Sequence, residues 1–362
     1  SIHSVRWIEY FARLGINVHV VNVGTPDHVP ITGATYHEGV SRPEVKGSVI
    51  QQYLRAYRPF KKAIGELLER VQPDIVHVHA ISIYAYIVKR CGFNPVVATA
   101  WGSEVLVDPG KSLKYRLVVR RTLASVDLIT CDADHIKEHM VKLGASRDNI
   151  EIVCFGTDVA QFCPEKHDPL LSEQLGFSPG TRLVVSLRSL HSPIYDIGTL
   201  IRAIPKVICN QQKVGFVIVG DGEERQPLER LCNETGVQEY TRFVGRLSNE
   251  DLQRFTASAD VYVSTSLSDA GIAASTAEAM ACEVPSVVTD FGNNGDWIQN
   301  DVTGYLFPLR DSSALADRII QILQDPEHGQ AMGARARKII EAHNNWESEM
   351  SKVMRIYKRI TS

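Results

Sequence analysis

The chain has 362 residues, more than one typical hydrophobic core supports, so two domains are expected. Its 44% apolar and 22% charged residues are the balance of a soluble globular protein, and a net charge of −3 offers no general attraction to nucleic acid. Charge divides only mildly, +2 over residues 1–165 and −5 over 166–362. Seven scattered cysteines, odd in number and never spaced CxxC, suggest a reducing compartment and neither a disulfide framework nor a zinc site. No apolar run approaches a membrane span and no signal peptide is visible, so a cytoplasmic location is expected.

In chain order, residues 1–15 read as an amphipathic helix with Val5, Ile8, Phe11, Ala12 and Leu14 inward and Gly15 as its stop, followed by a strand over 16–23. A doubly wound domain normally places a strand before such a helix, and none precedes it here. After a Gly-, Pro- and His-containing loop (24–47) comes a long helix, 49–71. Strands are expected at 74–80, 95–100, 126–131 and 150–155, with helices at 82–91, 112–124 and 134–143 and a loop, WGSEVLVDPG, after the second of these strands. Residues 162–180 interrupt the periodicity and read as a linker.

The pattern then restarts, with strands at 182–187, 215–219, 242–244, 261–264, 286–289 and 304–307. Helices lie between and after them at 198–210, 224–235, 249–258, 272–282, 312–323 and 330–342, and a last helix spans 346–360. Short apolar strands alternating with helices imply parallel sheets covered on both faces, and two such domains place a ligand at the carboxyl ends of strands.

Residues 264–281, STSLSDAGIAASTAEAMA, form a strand end, a loop of small residues and a helix carrying Glu278. The first helical N–H groups lack partners and the helix dipole adds partial positive charge, which suits an anion. Gly271, Ala273, Ala274 and Ser275 have little bulk to keep a phosphate from the backbone. If the helix starts near Ile272, Glu278 lies about 9 Å further along, the reach from a diphosphate to a ribose. An ordinary strand-to-helix connection explains the same stretch taken alone.

Read in order, VGDGEERQPLERL, FVGRLSNEDL, SADVYVSTSLSDAG, EAMACEVPSVVTDFG and TGYLFPLRD resemble glycosyltransferase family 4, the retaining enzymes with the GT-B fold. DIVHVHA, ATAWGSEVL, CDADHIKEHM and FGTDVAQF in the first half look like the same family's pattern. The resemblance implies two Rossmann-like, doubly wound domains facing a cleft. Residues 1–165 would form the acceptor-side domain, 166–345 the nucleotide-sugar domain, and 346–362 a helix packing back on the first. It implies transfer of a sugar from a nucleotide-diphosphate sugar to a carbohydrate or lipid-linked acceptor hydroxyl, in cell-surface glycan or glycolipid synthesis, with no metal or cofactor required.

By the same resemblance Glu278 holds the ribose hydroxyls as the second acid of an E-x7-E motif. The first acid's position is Ala270, with Asp269 one residue upstream as its substitute. Arg188 faces the donor diphosphate, and the position of a usual neighbouring lysine is Tyr195. Gly271, Ile272, Ala273 and Ala274 would meet the diphosphate, Gly220 of the GDG turn would lie near the base pocket, and the backbone of the Val244–Arg246 loop would meet the base. Arg246 or the helix dipole would make up for the missing lysine. Trp101 stands where the family has a histidine that contacts the transferred sugar, its ring suited to stacking on a sugar or to anchoring the loop, and Glu104 completes that segment, either accepting hydrogen bonds from an acceptor or holding the loop.

Several readings stay open. Ala270, Tyr195 and Trp101 leave room for a catalytically weak or inactive sugar-nucleotide binder, or for another GT-B enzyme such as a nucleotide-sugar epimerase. His77 and His79 share a strand face without a third ligand and read as buried, hydrogen-bonded histidines. Asp132-Ala133-Asp134 reads as an N-cap rather than a metal motif. Basic residues at 55, 58, 61 and 62 and at 111, 114, 116, 120 and 121 suggest either a solvated face or peripheral contact with an anionic membrane at its inner face.

Overall fold

The computed structural model describes residues 2–22, 31–37, 49–106, 110, 113–269 and 271–362. Ala270, Lys111 and the side chains of Arg55 and Lys114 lie outside the described residues. The chain forms two compact units, Ser1–Cys154 with Met350–Ser362, and Phe155–Glu349.

The first unit opens with helix α1 (Ile2–Arg13), which buries Trp7, Tyr10 and Phe11 and ends at Gly15 with φ +76°. Strands β1 (Val18–Val21) and β2 (Ala34–His37) pair in parallel as a separate two-stranded sheet. Helix α2 (Val49–Val71) leads to a parallel sheet of β3 (Val76–Val78), β4 (Val96–Ala100), β5 (Leu128–Cys131) and β6 (Ile150–Ile152), ordered as in the chain. Helices α3 (Ile83–Arg90), α4 (Ser103–Leu106), α5 (Leu113–Ser125) and α6 (Asp134–Lys142) connect these strands. All five residues of β4 are buried, as expected for a strand covered on both faces. The His77 imidazole bonds the Thr99 hydroxyl at 2.6 Å, and Thr99 bonds Thr130 at 2.7 Å, so one polar chain crosses β3, β4 and β5. Its outer end is Tyr357 of the last helix, whose hydroxyl meets His77 Nδ1.

In the second unit, α7 (Leu171–Gln174) precedes β7 (Arg182–Leu187), α8 (Ile197–Asn210), β8 (Val214–Val219), α9 (Arg225–Glu234), β9 (Thr241–Gly245) and α10 (Asn249–Ala257). Then follow β10 (Val261–Ser264), α11 (Ala274–Ala281), β11 (Ser286–Thr289), α12 (Asn294–Trp297), β12 (Gly304–Phe307), α13 (Ser312–Gln324) and α14 (Pro326–His343). Helix α15 (Trp346–Thr361) begins here and ends in the first unit. The sheet is parallel in the order β12–β11–β10–β7–β8–β9. Period-two alternation sends Val184 to one face, with Ile201, Ile204, Ile319 and Phe307, and Val185 to the other, with Tyr262, Met280, Val288 and Ile340. Each such buried aliphatic contributes about 1.5–3 kcal/mol relative to exposure.

Several sequence expectations change, among them the inward Val5 and Leu14 of the first helix, which are exposed. Residues 162–180 do not behave as a linker, because Phe162 and Leu171 are buried against Leu183, Val185 and Ala281 in the core of the second unit. The helix expected from Ile272 begins at Ala274, and the one expected at 330–342 covers Pro326–His343, started by a proline that lacks only an N–H the first turn does not use. The loop expected at 24–47 contains β2, a β-branched and aromatic ATYH segment. The WGSEVLVDPG loop contains α4. The described strands of the first unit form two sheets, β1–β2 and β3–β4–β5–β6.

Candidate active site

Strand order locates the site in the second unit. The chain passes from β7 outward to β8 and β9, then returns to lay β10 on the other side of β7. Between β7 and β10 the connections diverge, and open α/β sheets bind ligands at the carboxyl ends of strands where this reversal occurs. Arg188 ends β7. The loop from Thr265 to Ala273 follows β10.

The Arg188 guanidinium is fixed on several sides. Its Nη2 donates to Ser264 Oγ at 2.6 Å and to Asp269 Oδ2 at 2.9 Å, and its Nε donates to Ser264 Oγ at 3.2 Å. Both partners of the ion pair are mostly buried, with side chains 9% and 12% exposed. Burial opposes the charge on Arg188, but Tyr262, Asp269 and Tyr195 more than offset it, leaving its pKa above the ordinary value. The Tyr195 ring lies 5.5 Å from the guanidinium carbon, within cation–π range, so the residue at the expected lysine position braces the arginine.

Backbone contacts clip the two loops together. Thr265 Oγ1 donates to the Tyr195 carbonyl at 2.8 Å and Leu267 N donates to the Ile194 carbonyl at 2.8 Å. The GDG turn supports Arg188 from the β8 side. Gly220 has φ +137°, and a Cβ there would stand 2.0 Å from the Arg188 carbonyl oxygen. Gly222, at φ +152°, would drive a Cβ to 2.2 Å from Leu190 C. The structure therefore gives Gly220 a packing role against the Arg188 backbone. From β9, Gly245 accepts from Gly220 N at 2.8 Å, Val244 lies beside it, and Arg246 Nη2 reaches His191 Nε2 at 2.8 Å in the loop after Arg188.

Helix α11 has Ala273 as its N-cap, with no side-chain cap, so its first N–H groups receive no capping oxygen from that residue. Gly271, Ile272 and Ala273 before it are buried, and Ser275 Oγ is bonded to Tyr262 Oη at 2.8 Å, which ties the helix start to β10. Glu278 is half-buried in the second turn. With the helix starting at Ala274, it lies four residues in, about 6 Å along the axis rather than the 9 Å expected from a start at Ile272. Arg188, Asp269, Gly220, Val244, Arg246, residues 271–274 and Glu278 thus belong to one end of one sheet.

Trp101 and Glu104 belong to the first unit, at the carboxyl end of β4. Glu104 Oε1 accepts from Trp101 N at 2.7 Å, and Trp101 Nε1 donates to the His79 carbonyl at 2.6 Å with the two rings stacked at 5.9 Å. Burial pushes His77 well below the usual histidine range and His79 down to about 4, so both rings are neutral at physiological pH. His77 is fully engaged with Tyr357 and Thr99, whereas His79 Nδ1 is buried without a partner among the described residues. Among the described residues no three His, Cys, Asp or Glu side chains converge as metal ligands.

Sequence reasoning misjudged Asp132. The N-cap of α6 is Ala133, without a side-chain cap, so neither acid performs the expected capping. Asp132 is buried instead, neither carboxylate oxygen has a hydrogen-bond partner in another residue among the described residues, and burial, partly opposed by its own backbone N–H and reinforced by repulsion from Glu104, raises its pKa to about 7. A D-x-D between a strand and a helix gives no sign of this, because the strand's exit angle decides which acid turns inward. Ser264 and Tyr195 were likewise missed as partners of Arg188. Only the β7–β10 adjacency, invisible in the sequence, brings residues 76 positions apart together.

Two family models match the chain, Glycosyl transferases group 1 over residues 168–339 and Glycosyl transferase 4-like over residues 1–133. An uncharacterised glycosyltransferase of Methanocaldococcus jannaschii is 30% identical, the match covering 99% of this chain and 93% of that protein. The GDP-mannose-dependent monoacylated alpha-(1-6)-phosphatidylinositol monomannoside mannosyltransferase of Corynebacterium glutamicum is 28% identical over 79% of this chain and 76% of its own length. Among solved structures, HepE of Anabaena in complex with UDP superposes with a TM-score of 0.80 at 14% identity, covering 99% of this chain and 95% of that one. The chain therefore belongs to glycosyltransferase family 4, with the two parallel α/β units of the GT-B fold.

Proposed function

We propose that this glycosyltransferase moves a sugar from a nucleotide-diphosphate sugar to an acceptor hydroxyl with retention at the anomeric carbon. The carrying observation is the pairing, at one strand reversal, of a fixed arginine with an N-terminally uncapped helix. Arg188 and the backbone at residues 271–274 stabilise the charge that builds on the diphosphate as the glycosidic bond breaks, and preformed donors of this kind cost no reorganisation at the moment of reaction. The leaving diphosphate then takes the acceptor proton. Glu278 accepts from the ribose hydroxyls, while the Val244–Arg246 backbone meets the base and Asp269 the donor sugar. With the positive charge supplied by protein groups, no metal ion is required.

In the first unit, Trp101 offers a ring face to a sugar and Glu104 fixes its backbone. The acceptor class is a carbohydrate or lipid-linked glycan, supported by relatives whose names specify glycolipid acceptors. Helix α5 carries exposed Leu113, Tyr115 and Leu117 interleaved with Arg116, Arg120 and Arg121, a pattern suited to peripheral contact with an anionic inner membrane face. No helix among the described residues is long and apolar enough to cross a membrane.

Incubating the purified protein with GDP-mannose and UDP-sugars, with and without glycolipid acceptors and with EDTA in parallel, tests this reading. An α-linked product from an α-linked donor, formed in EDTA, is expected and is resolved by NMR of the anomeric proton. An inverted anomer, a strict metal requirement, or isomerised donor without acceptor would refute the mechanism.

A further inference from the structure

The contact that fixes Arg188 also occupies it. Two of its donors are committed to Ser264 Oγ, and Nη2 is paired with the Asp269 carboxylate at 2.9 Å. This pair sits where the proposed donor phosphate would meet the arginine, at the carboxyl end of β7. The Asp269 backbone is held from another side: a Cβ on Gly292, at φ +57°, would stand 2.9 Å from the Asp269 carbonyl oxygen, so the β11 loop packs directly on it. The carboxylate is therefore supplied by a backbone packed against a neighbouring strand connection.

A buried guanidinium left alone is costly, and an internal carboxylate removes that cost until an external anion arrives. An anion that binds Arg188 must overcome the like charge of Asp269, and one that takes Nη2 must also displace its carboxylate. The apparent affinity of any phosphate ligand is then lowered by the fraction of molecules in which Asp269 holds the arginine.

We propose that Asp269 is a built-in stand-in for the donor diphosphate, a counter-ion that holds Arg188 in the resting protein and is displaced when a nucleotide diphosphate binds. Because displacement must be offset by further contacts, the exchange makes the site selective. A ligand that also engages Glu278 and the residue 271–274 backbone displaces Asp269, whereas inorganic phosphate, limited to one contact, does not. The inference rests on the reading of Arg188 as a phosphate-facing group.

The test is calorimetric titration of inorganic pyrophosphate, inorganic phosphate, GDP and UDP into the wild type, Asp269→Asn, Asp269→Glu and Arg188→Ala. Asp269→Asn is expected to bind pyrophosphate about tenfold more tightly and to gain measurable affinity for phosphate, with Asp269→Glu close to wild type. Unchanged or weaker binding by Asp269→Asn, with Arg188→Ala still weakened, overturns the stand-in role and leaves Asp269 as an orienting group for Arg188. Unchanged binding in both Asp269→Asn and Arg188→Ala removes the underlying assignment of Arg188 as well. Should Asp269→Asn be poorly folded, thermal unfolding decides. Pyrophosphate replacing the missing carboxylate raises the Tm of the variant more than that of the wild type, and an equal rise in both contradicts the proposal.

Discussion

At the end of β7 in the second unit, Arg188 is held by Ser264, Asp269 and Tyr195, whereas at the end of β5 in the first unit Asp132 is buried without a donor from another residue among the described residues. Both positions follow a fully parallel, doubly covered strand, so the sheet alone does not account for the difference. The second unit finishes its strand ends with a polar cluster whose members restrain one another, which suits a site that must offer fixed charge to a phosphate. In the first unit, His79 Nδ1 and Asp132 are buried near the Trp101 segment without a partner in another residue among the described residues, and Asp132 titrates near neutrality. One end is held by an ion pair; the other carries a buried carboxyl with no such counter-charge among the described residues.

The sharpest way to break this comparison is through Asp132. Its folded pKa of about 7 lies above the ordinary 3.8, so the folded protein holds the proton more tightly than the unfolded chain. The stability linked to that proton is full below pH 4 and is lost as pH rises toward 7, by roughly 4 kcal/mol in all. Denaturant unfolding of wild type and Asp132→Asn at pH 4.5 and pH 7.5 should show the variant gaining on the wild type as pH rises. A constant difference would mean that Asp132 is partnered after all.

At the other end, Arg188→Ala should lower kcat for transfer by about 10²–10³-fold, the scale of a lost charge-stabilising donor, in a variant shown to be folded by its thermal unfolding. A change confined to the acceptor KM would move Arg188 out of the donor site. The GDG turn gives a smaller effect. Gly220→Ala should cost about 1–3 kcal/mol in denaturant unfolding, since its φ and the Arg188 carbonyl both exclude a side chain. An unaltered midpoint would mean that the turn does not brace Arg188. Smallest is the surface of α5, where each of Arg116, Arg120 and Arg121 changed to Gln should remove about 1 kcal/mol from binding to vesicles rich in anionic lipid, read by sedimentation. Equal binding by the triple variant would assign those charges to solvation.

The second unit was the more legible half in sequence. Its strands are continuous apolar runs bounded by turn residues, and the helix after β10 announces itself through small residues before Glu278. What stayed hidden there is what depends on strand order, because the contacts of Ser264 and Asp269 with Arg188 require β10 beside β7. The first unit was harder to read. ATYH is too short to stand out inside a loop, and the burial of Asp132 depends on the angle at which the chain leaves β5. Phe162 and Leu171 looked like interruptions because flanking Pro, His and Gly masked their period, although tertiary packing makes them core.

If the carboxyl ends of β7 and β10 bind the nucleotide of the donor, Glu278 is the residue whose loss shows it most directly. Calorimetric titration of GDP and UDP into wild type and Glu278→Ala should show the wild type binding at least one of them, and the variant weaker by about 1.5–3 kcal/mol, the scale of hydrogen bonds to a charged group. Equal affinity in the two proteins would contradict the assignment.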